Sequence, residues 1–144
     1  MAETLGSLCD KLTIVKLKQY HTTNAERLAS LHTQEQQLQI EINNYVRDAV
    51  SGNIGTDQLT FKANKVYKKT GNETDVITGN IGIVFGKLAE VNCDLWHEQE
   101  KVYEFEKVPA DEKDKVIKRL AILNLERNNC IDSINESFKE LVTK

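Results

Sequence analysis

Apolar residues return every three or four positions along four stretches of this chain, and this spacing constrains the fold more than any other feature. One of the four lines comprises Leu28, Leu31, Leu38, Ile42, Tyr45 and Ala49. A period of this kind places its side chains on one face of an α-helix, so the pattern predicts helices that pack along their length.

The four stretches predict an all-α fold, namely a four-helix and mostly antiparallel bundle. We expect the helices to span about residues 4–20, 24–50, 80–106 and 110–142, with Pro109 closing the third. A chain of 144 residues is long enough for one hydrophobic core and too short to suggest two. The sequence therefore predicts a single helical domain that spans residues 1–144.

Residues 51–80 interrupt the helical pattern. Their glycines, with threonine and asparagine between them, are typical of turns and loops. We expect an irregular or short-helical insertion here, with Thr56 or Asp57 as the cap of a short helix that ends near residue 69. A hairpin that pairs residues 61–69 with 73–78 is the alternative.

Composition and charge restrict the classes of partner. A formal net charge of -3 gives no electrostatic reason to expect binding to nucleic acid. No apolar run approaches the roughly 20 residues needed to cross a bilayer, and the first residues lack the features of a signal peptide. Three cysteines without paired spacing suit reduced thiols. We therefore expect a cytoplasmic protein that needs no cofactor and binds neither nucleic acid nor membrane.

Charged and amide side chains lie within the apolar lines, and they form the main candidate site. They are Glu35, Glu98, Asn124 and Arg127, with Asn92 and Asp94 close by in sequence. If these groups point inward they should pair, most plausibly Arg127 with Glu98 or Glu35, because an isolated buried charge is costly. The set is then a structural network that fixes helix register, or a pocket for a small anion or nucleotide-like ligand. A third alternative places it in water at the edge of the bundle.

Metal and catalytic motifs are weak. Asp94 and His97 can share a helix face, as can Cys93 and His97, but a di-iron bundle needs a carboxylate-x-x-His pair from two helices. The acidic residues of the last two helices lack the spacing of helical pyrophosphohydrolases, and no phosphate-binding or dinucleotide loop is present. We therefore expect no metal site and assign no catalytic residue.

Two further patterns have alternative interpretations. Small residues three and four apart could form a face where another backbone approaches, or the first of them could still be loop; they are Gly79, Gly82, Gly86, Ala89 and Cys93. Basic and aromatic residues of the insertion could bind a polyanion, but nearby acids offset them and favour a solvated loop. They are Phe61, Lys62, Lys65, Tyr67, Lys68 and Lys69.

Three short motifs occur in order along the chain. They are Asp10-Lys11-Leu12-Thr13-Ile14, then Val91-Asn92 with Leu95-Trp96, then Asn124 with Arg127. This pattern resembles a group of all-helical bacterial and phage proteins known only as domains of unknown function. The resemblance covers the first, third and fourth helices and implies an all-α fold without an established activity.

By this resemblance, six positions are the first to test: Asp10, Lys11, Asn92, Trp96, Asn124 and Arg127. Asp10 and Lys11 are either helix-surface charges or members of the Arg127 network. Trp96 is either an anchor in the core or at an interface, which we favour, or a platform on which a ligand stacks.

These observations give two hypotheses for the function. The first is a non-enzymatic protein-interaction or oligomeric module that self-associates, as a dimer, because two helices near 40 Å offer more apolar length than a monomer must cover. The alternative is a small-molecule or nucleotide-binding enzyme, in nucleotide or nucleotide-sugar metabolism, that uses the Arg/Glu/Asn cluster.

Overall fold

The computed structural model describes residues 3–63 and 80–144. Four long helices dominate them, namely α1 (Leu5–His21), α2 (Ala25–Val50), α3 (Ile81–Tyr103) and α4 (Lys113–Thr143). The short connection between α1 and α2 forces these two packed helices to run antiparallel. α3 and α4 also run antiparallel, because Asp94 lies against Arg119 whereas Phe105, just after α3, lies against Lys113 at the start of α4. The prediction of an all-α four-helix fold is confirmed.

Side-chain caps fix the starts of three helices. Thr4 and Ser7 form a reciprocal capping box at the start of α1. Asn24 accepts a hydrogen bond from the Arg27 N–H at the start of α2, and Asn80 does the same for α3. After α2, Gly52 adopts a φ of 83°, a conformation that favours glycine and ends the helix.

The connection between α3 and α4 is longer than the sequence predicts. α3 ends at Tyr103 rather than residue 106, and Phe105–Lys107 form a 3-10 turn. Val108 is extended, with φ -77° and ψ 130°, because the residue before a proline avoids the helical region. The Glu112 N–H then donates to the Pro109 carbonyl in a turn, so α4 begins at Lys113 rather than residue 110.

Helix α1 occupies the centre, since it contacts each of the other three helices. The larger hydrophobic cluster joins α1 to α3, α4 and the end of α2; its buried members are Leu5, Cys9, Ala49, Leu59, Val84, Leu88, Cys130, Ile131, Ile134 and Phe138. A smaller cluster of Leu8, Val15 and Leu38 lies between α1 and α2. Most of the first half of α2 therefore packs on α1 and is otherwise exposed.

The described part of the insertion, residues 51–63, differs from the predicted short helix. Within it only Thr56–Gln58 form a 3-10 turn, and residues 59–63 are not helical. Leu59 explains this, because its side chain is 0% exposed in the larger cluster and holds the chain against the helices. The rest of the predicted helix and most of the alternative hairpin lie outside the described residues, as do Lys65, Tyr67, Lys68 and Lys69 of the basic patch.

The face of small residues on α3 is open to solvent. α3 begins at Ile81, so the loop interpretation is wrong for Gly82, while Gly79 lies outside the described residues. Among the residues that the structure describes, nothing within 4 Å would meet a Cβ on Gly86, so no backbone of theirs approaches it. Within residues 3–63 and 80–144, no helix has the length and apolar content of a membrane span.

Candidate functional site

Glu35 lies between α1 and α2, away from α4. Its carboxylate accepts hydrogen bonds from Lys16 Nζ at 3.0 Å and Gln19 Nε2 at 2.8 Å, both on α1. These bonds from Gln19 and Lys16 lower the pKa of Glu35 below its usual value. The predicted pairing of Glu35 with Arg127 is therefore wrong, because α2 packs on α1 and Glu35 finds its partners there.

Glu98 and Asn124 also do not contribute to a shared inward cluster. Glu98 accepts from Lys101 Nζ at 3.0 Å, one turn along α3, and Asn124 is exposed on α4. The predicted ion pair between Glu98 and Arg127 is thus wrong, and so is the inward position of Asn124. The apolar face of α4 centres on its buried residues Leu123, Cys130 and Ile134, which leaves Asn124 outside it.

Arg127 is half-buried on α4. Its Nε is buried and has no hydrogen-bond partner among the described residues. Leaving such a donor unsatisfied costs about 1–3 kcal/mol. Arg127 is therefore the one member of the predicted cluster whose buried polar atom lacks a partner within the described part of the chain.

Two positions from the sequence motifs do meet, namely Asp10 of α1 and Asn92 of α3. Asn92 is 3% exposed, and its Nδ2 donates to Asp10 Oδ1 at 2.9 Å. The neighbouring Lys11 is exposed and pairs with Glu3. Burial raises the pKa of Glu3, but the hydrogen bonds from Lys11 and Ser7 outweigh it and lower the pKa overall. The Asp10–Asn92 bond ties α1 to α3.

Aromatic side chains lie at the contact of the last turn of α1 with α3 and at the end of α3. We call this set the aromatic patch and define it as Tyr20, His21, Trp96 and Tyr103. The His21 and Trp96 rings stack, with centroids 4.6 Å apart and planes 11° apart. Tyr20 meets His21 edge to face at 5.1 Å. Tyr20 is 85% and Tyr103 is 78% exposed, so both rings lie largely in solvent. The sequence identified Trp96 but gave no sign of its partner His21.

The two candidate metal ligands Asp94 and His97 each lie against a side chain that is not a metal-binding partner for the other. Asp94 lies 3.8 Å from Arg119, and His97 lies 3.6 Å from Glu100. Among residues 3–63 and 80–144, no three metal-ligating side chains come together. Neither Asp94 nor His97 therefore belongs to a metal cluster that the structure describes.

The cysteines are unpaired, and two of them are buried. Burial raises the pKa of Cys9 and of Cys130 to about 11. Both therefore stay protonated at neutral pH and are poor nucleophiles, since the thiolate is the reactive form.

Asn135 on α4 is a buried polar residue that the sequence analysis did not select. It is 1% exposed, and its Oδ1 accepts the backbone N–H of Gly6 at 2.7 Å. Gly6 lies in the first turn of α1, where N–H groups have no partner within the helix, so Asn135 caps α1 from another helix. Its spacing from Ile131 and Phe138, four and three positions, was the available signal, because it places the amide on the apolar face.

A small cavity, which we name the Asn135 cavity, lies between α4 and the segment before residue 64. Its volume is about 60 Å³, and its lining comprises Thr60, Phe61, Lys62, Asp132, Asn135 and Glu136. Asp132 Oδ1 accepts the Ala63 N–H at 2.9 Å, which fastens this segment to α4. Burial raises the pKa of Asp132, and the Ala63 hydrogen bond and Lys62 oppose that rise.

Comparison with known proteins identifies no relative of this chain. No family model, no curated protein and no solved structure matches this chain. The resemblance carried by the three sequence motifs therefore stays a prediction. What the chain does must be inferred from the arrangement of its own residues.

Proposed function

We propose that this chain is a non-enzymatic protein-interaction module that self-associates through the aromatic patch. The observation that carries the proposal is the exposure of Tyr20 next to the stacked His21 and Trp96 rings, and of Tyr103 about two helical turns further along α3. Tyrosine and tryptophan supply much of the binding energy at protein interfaces because they bury a large area and lose little conformational freedom. Exposed aromatic side chains thus contribute little to the stability of the isolated chain, but they can contribute binding energy when a partner buries them.

The helix ends give the patch its shape. α1 stops at His21, which stacks on Trp96, whereas α3 continues to Tyr103. Trp96 and Tyr103 are seven positions apart, so they share one face of α3 at about 10 Å along its axis. The last turns of α3 therefore extend past the ring contact with α1 and offer Tyr103 to a partner.

The partner that we propose is a second copy. Exposed charges of both signs border the patch, with Lys18 one turn before His21 and Glu100 between Trp96 and Tyr103 along α3. In a twofold dimer the same surface meets itself, so a patch that carries both signs can pair unlike charges. The unpaired cysteines support a reducing compartment, and we place the protein in the cytoplasm.

The test is the mass of the protein in solution as a function of concentration. We expect the wild type to form a dimer and the double variant Tyr20→Ser, Tyr103→Ser to remain monomeric with unchanged helical content. Ile40→Ser is the matched control, because Ile40 is 59% exposed on α2, away from the patch. A wild type that stays monomeric at the highest concentration, or a double variant that dimerises as well as the control, would contradict the proposal.

One specific observation supports the alternative, a small-molecule or nucleotide-binding enzyme. Arg127 has a buried Nε without a partner in the described part of the chain, as an anion contact would before its ligand binds. A thermal-shift screen with nucleotides and sugar nucleotides tests it, since a ligand at 100 times its Kd adds about 2.7 kcal/mol of stability. Arg127→Met should abolish any such shift if Arg127 binds the ligand, and an unchanged shift would contradict that role.

A further inference from the structure

Two histidines from different helices lie next to each other at the contact between α1 and α3. His21 is the last residue of α1 and His97 lies on α3; their ring centroids are 6.2 Å apart and their planes meet at 85°. Both side chains are exposed, that of His97 to 66%. Imidazole is the commonest metal ligand among protein side chains and suits transition metals. The helix packing thus brings together two metal-ligating groups that are far apart in sequence.

The His21 ring is held in place by the ring on which it stacks. It lies 4.6 Å from Trp96, with an angle of 11° between the planes. A metal binds an imidazole nitrogen in the plane of the ring, so the stacked face is not the side that a metal needs. Tyr20, which also touches His21, is 85% exposed and can change its rotamer. A ring that is already held loses little conformational freedom when it binds a ligand.

A carboxylate lies beside one nitrogen of the other ring. Glu100 Oε1 is 3.6 Å from His97 Nδ1, one turn further along α3. A carboxylate at this nitrogen favours the tautomer that carries the proton there, which leaves Nε2 as the metal ligand.

The charges that flank the two histidines are balanced. Lys18 is three positions before His21, and Glu100 is three positions after His97. The next cation along α3, Lys101, is paired with Glu98 at 3.0 Å. A cation that approaches the two rings therefore meets no excess of positive charge from these neighbours.

The separation of the two rings is close to the one that a shared metal requires. With a metal–nitrogen distance of about 2.0–2.1 Å, two imidazoles at a tetrahedral angle have centroids about 5 Å apart. The observed pair is thus about 1 Å too wide. A turn of the exposed His97 side chain about its χ angles is enough to close this difference.

We propose that His21 and His97 form a binding site for a divalent transition metal of the zinc or nickel class, with water in the remaining coordination positions. Imidazole suits these ions, whereas magnesium and calcium prefer oxygen ligands. The site has two protein ligands, since no three metal-ligating side chains come together in residues 3–63 and 80–144. Both histidines belong to one chain, so the site does not depend on self-association.

The test is a titration of the tag-free full chain with Ni²⁺ at neutral pH, with a phosphine to keep the cysteines reduced. Trp96 is the only tryptophan and stacks on His21, so quenching of its fluorescence reports a paramagnetic ion bound at this position. We expect saturable quenching that Zn²⁺ reverses by competition and that Mg²⁺ at the same concentrations does not produce. Calorimetry should give one metal ion per chain, and one ion per two chains would place the site between copies and overturn the proposal.

His21→Gln and His97→Gln should each weaken Ni²⁺ binding by at least about tenfold with unchanged helical content, because the second imidazole of the chelate is lost. His32→Gln is the matched control and should bind as the wild type does. His32 is the third histidine, 63% exposed on α2, and it also lies beside a carboxylate, that of Glu35 at 3.5 Å.

Cys93→Ser tests a competing pair of ligands on α3. Cys93 is four positions before His97, so these two side chains can share a helix face. We expect Cys93→Ser to bind Ni²⁺ as the wild type does. Binding that is lost in Cys93→Ser and kept in His21→Gln overturns the proposal, and so does a wild type that shows no saturable quenching.

Discussion

The backbone N–H of Gly6 donates a 2.7 Å hydrogen bond to Asn135 Oδ1, across 129 positions of the sequence. A Cβ on Gly6 would lie 2.5 Å from the Ile131 carbonyl oxygen and 2.9 Å from the same Asn135 Oδ1. The hydrogen bond therefore depends on the absence of a side chain at residue 6. α1 and α4 approach closely enough to form the bond only because residue 6 is glycine.

Gly6→Ala should destabilise the fold by about 1–3 kcal/mol, the usual cost of an added group where packing leaves no room. Part of the clash is with backbone, which cannot rotate away as a side chain can. Gly86→Ala is the control, because a Cβ there meets no described residue within 4 Å. It should stabilise α3 by up to about 1 kcal/mol through helix propensity. Urea denaturation measures the free energy of unfolding of both variants. If the two variants are equally stable, α4 does not approach Gly6 as closely as described.

Asn135→Ala should lower the free energy of unfolding by about 1–3 kcal/mol, since the Gly6 N–H is left buried without its acceptor. Asn124→Ala removes the same atoms from an exposed position on the same helix, and it should change stability by less than about 0.5 kcal/mol. Chemical denaturation of both variants distinguishes a structural amide from a surface one. The idea fails if Asn124 proves the more costly substitution.

The helices could be predicted from sequence because their signals are local. The apolar spacing, the capping residues Thr4, Asn24 and Asn80, and the turn at Gly52 each act within a few positions, and the helices lie where these features place them. The start of α4 was missed because the turn at Pro109 takes up three more residues than the helical pattern suggests.

The candidate site could not be predicted in the same way, because which helix faces which is not a local property. Glu35 and Arg127 lie within apolar lines of similar spacing, yet α2 packs on α1, so Glu35 bonds to Lys16 and Gln19 there. Glu98 bonds to Lys101 of its own helix. The Asn135–Gly6 bond joins helices that are far apart in sequence, and only the packed structure brings its two ends together.

The Asp10–Asn92 bond should contribute measurable coupling between α1 and α3. A bond from a buried amide to a carboxylate is worth about 1.5–3 kcal/mol, and the partly exposed position of Asp10 favours the lower end. A double-mutant cycle with Asp10→Ala and Asn92→Ala isolates this energy. The same cycle with Lys11→Ala and Asn92→Ala is the control, since Lys11 pairs with Glu3 instead. Additive effects for Asp10 and Asn92 would show that the bond does not form in solution.

The pH dependence of stability should have opposite signs at Asp132 and Glu35. Burial raises the pKa of Asp132 above its ordinary value of 3.8, so its protonated form is favoured in the folded state. Its stabilising contribution is therefore complete below the ordinary pKa and is lost as the pH rises through the raised pKa. Hydrogen bonds from Gln19 and Lys16 lower the pKa of Glu35 below 4.5, so its contribution is present above 4.5 and is lost as the pH falls through the lowered pKa.

Two amide variants separate these contributions in urea titrations between about pH 3 and pH 7, the range in which carboxylates titrate. Relative to wild type, Asp132→Asn should gain stability as the pH rises, because the variant no longer has to bury an ionised carboxylate. Glu35→Gln should lose stability relative to wild type over the same rise, since it lacks the charge that Lys16 pairs with. If both differences run in the same direction, burial does not dominate at Asp132, and the carboxylate is instead held ionised by Lys62 and the Ala63 N–H.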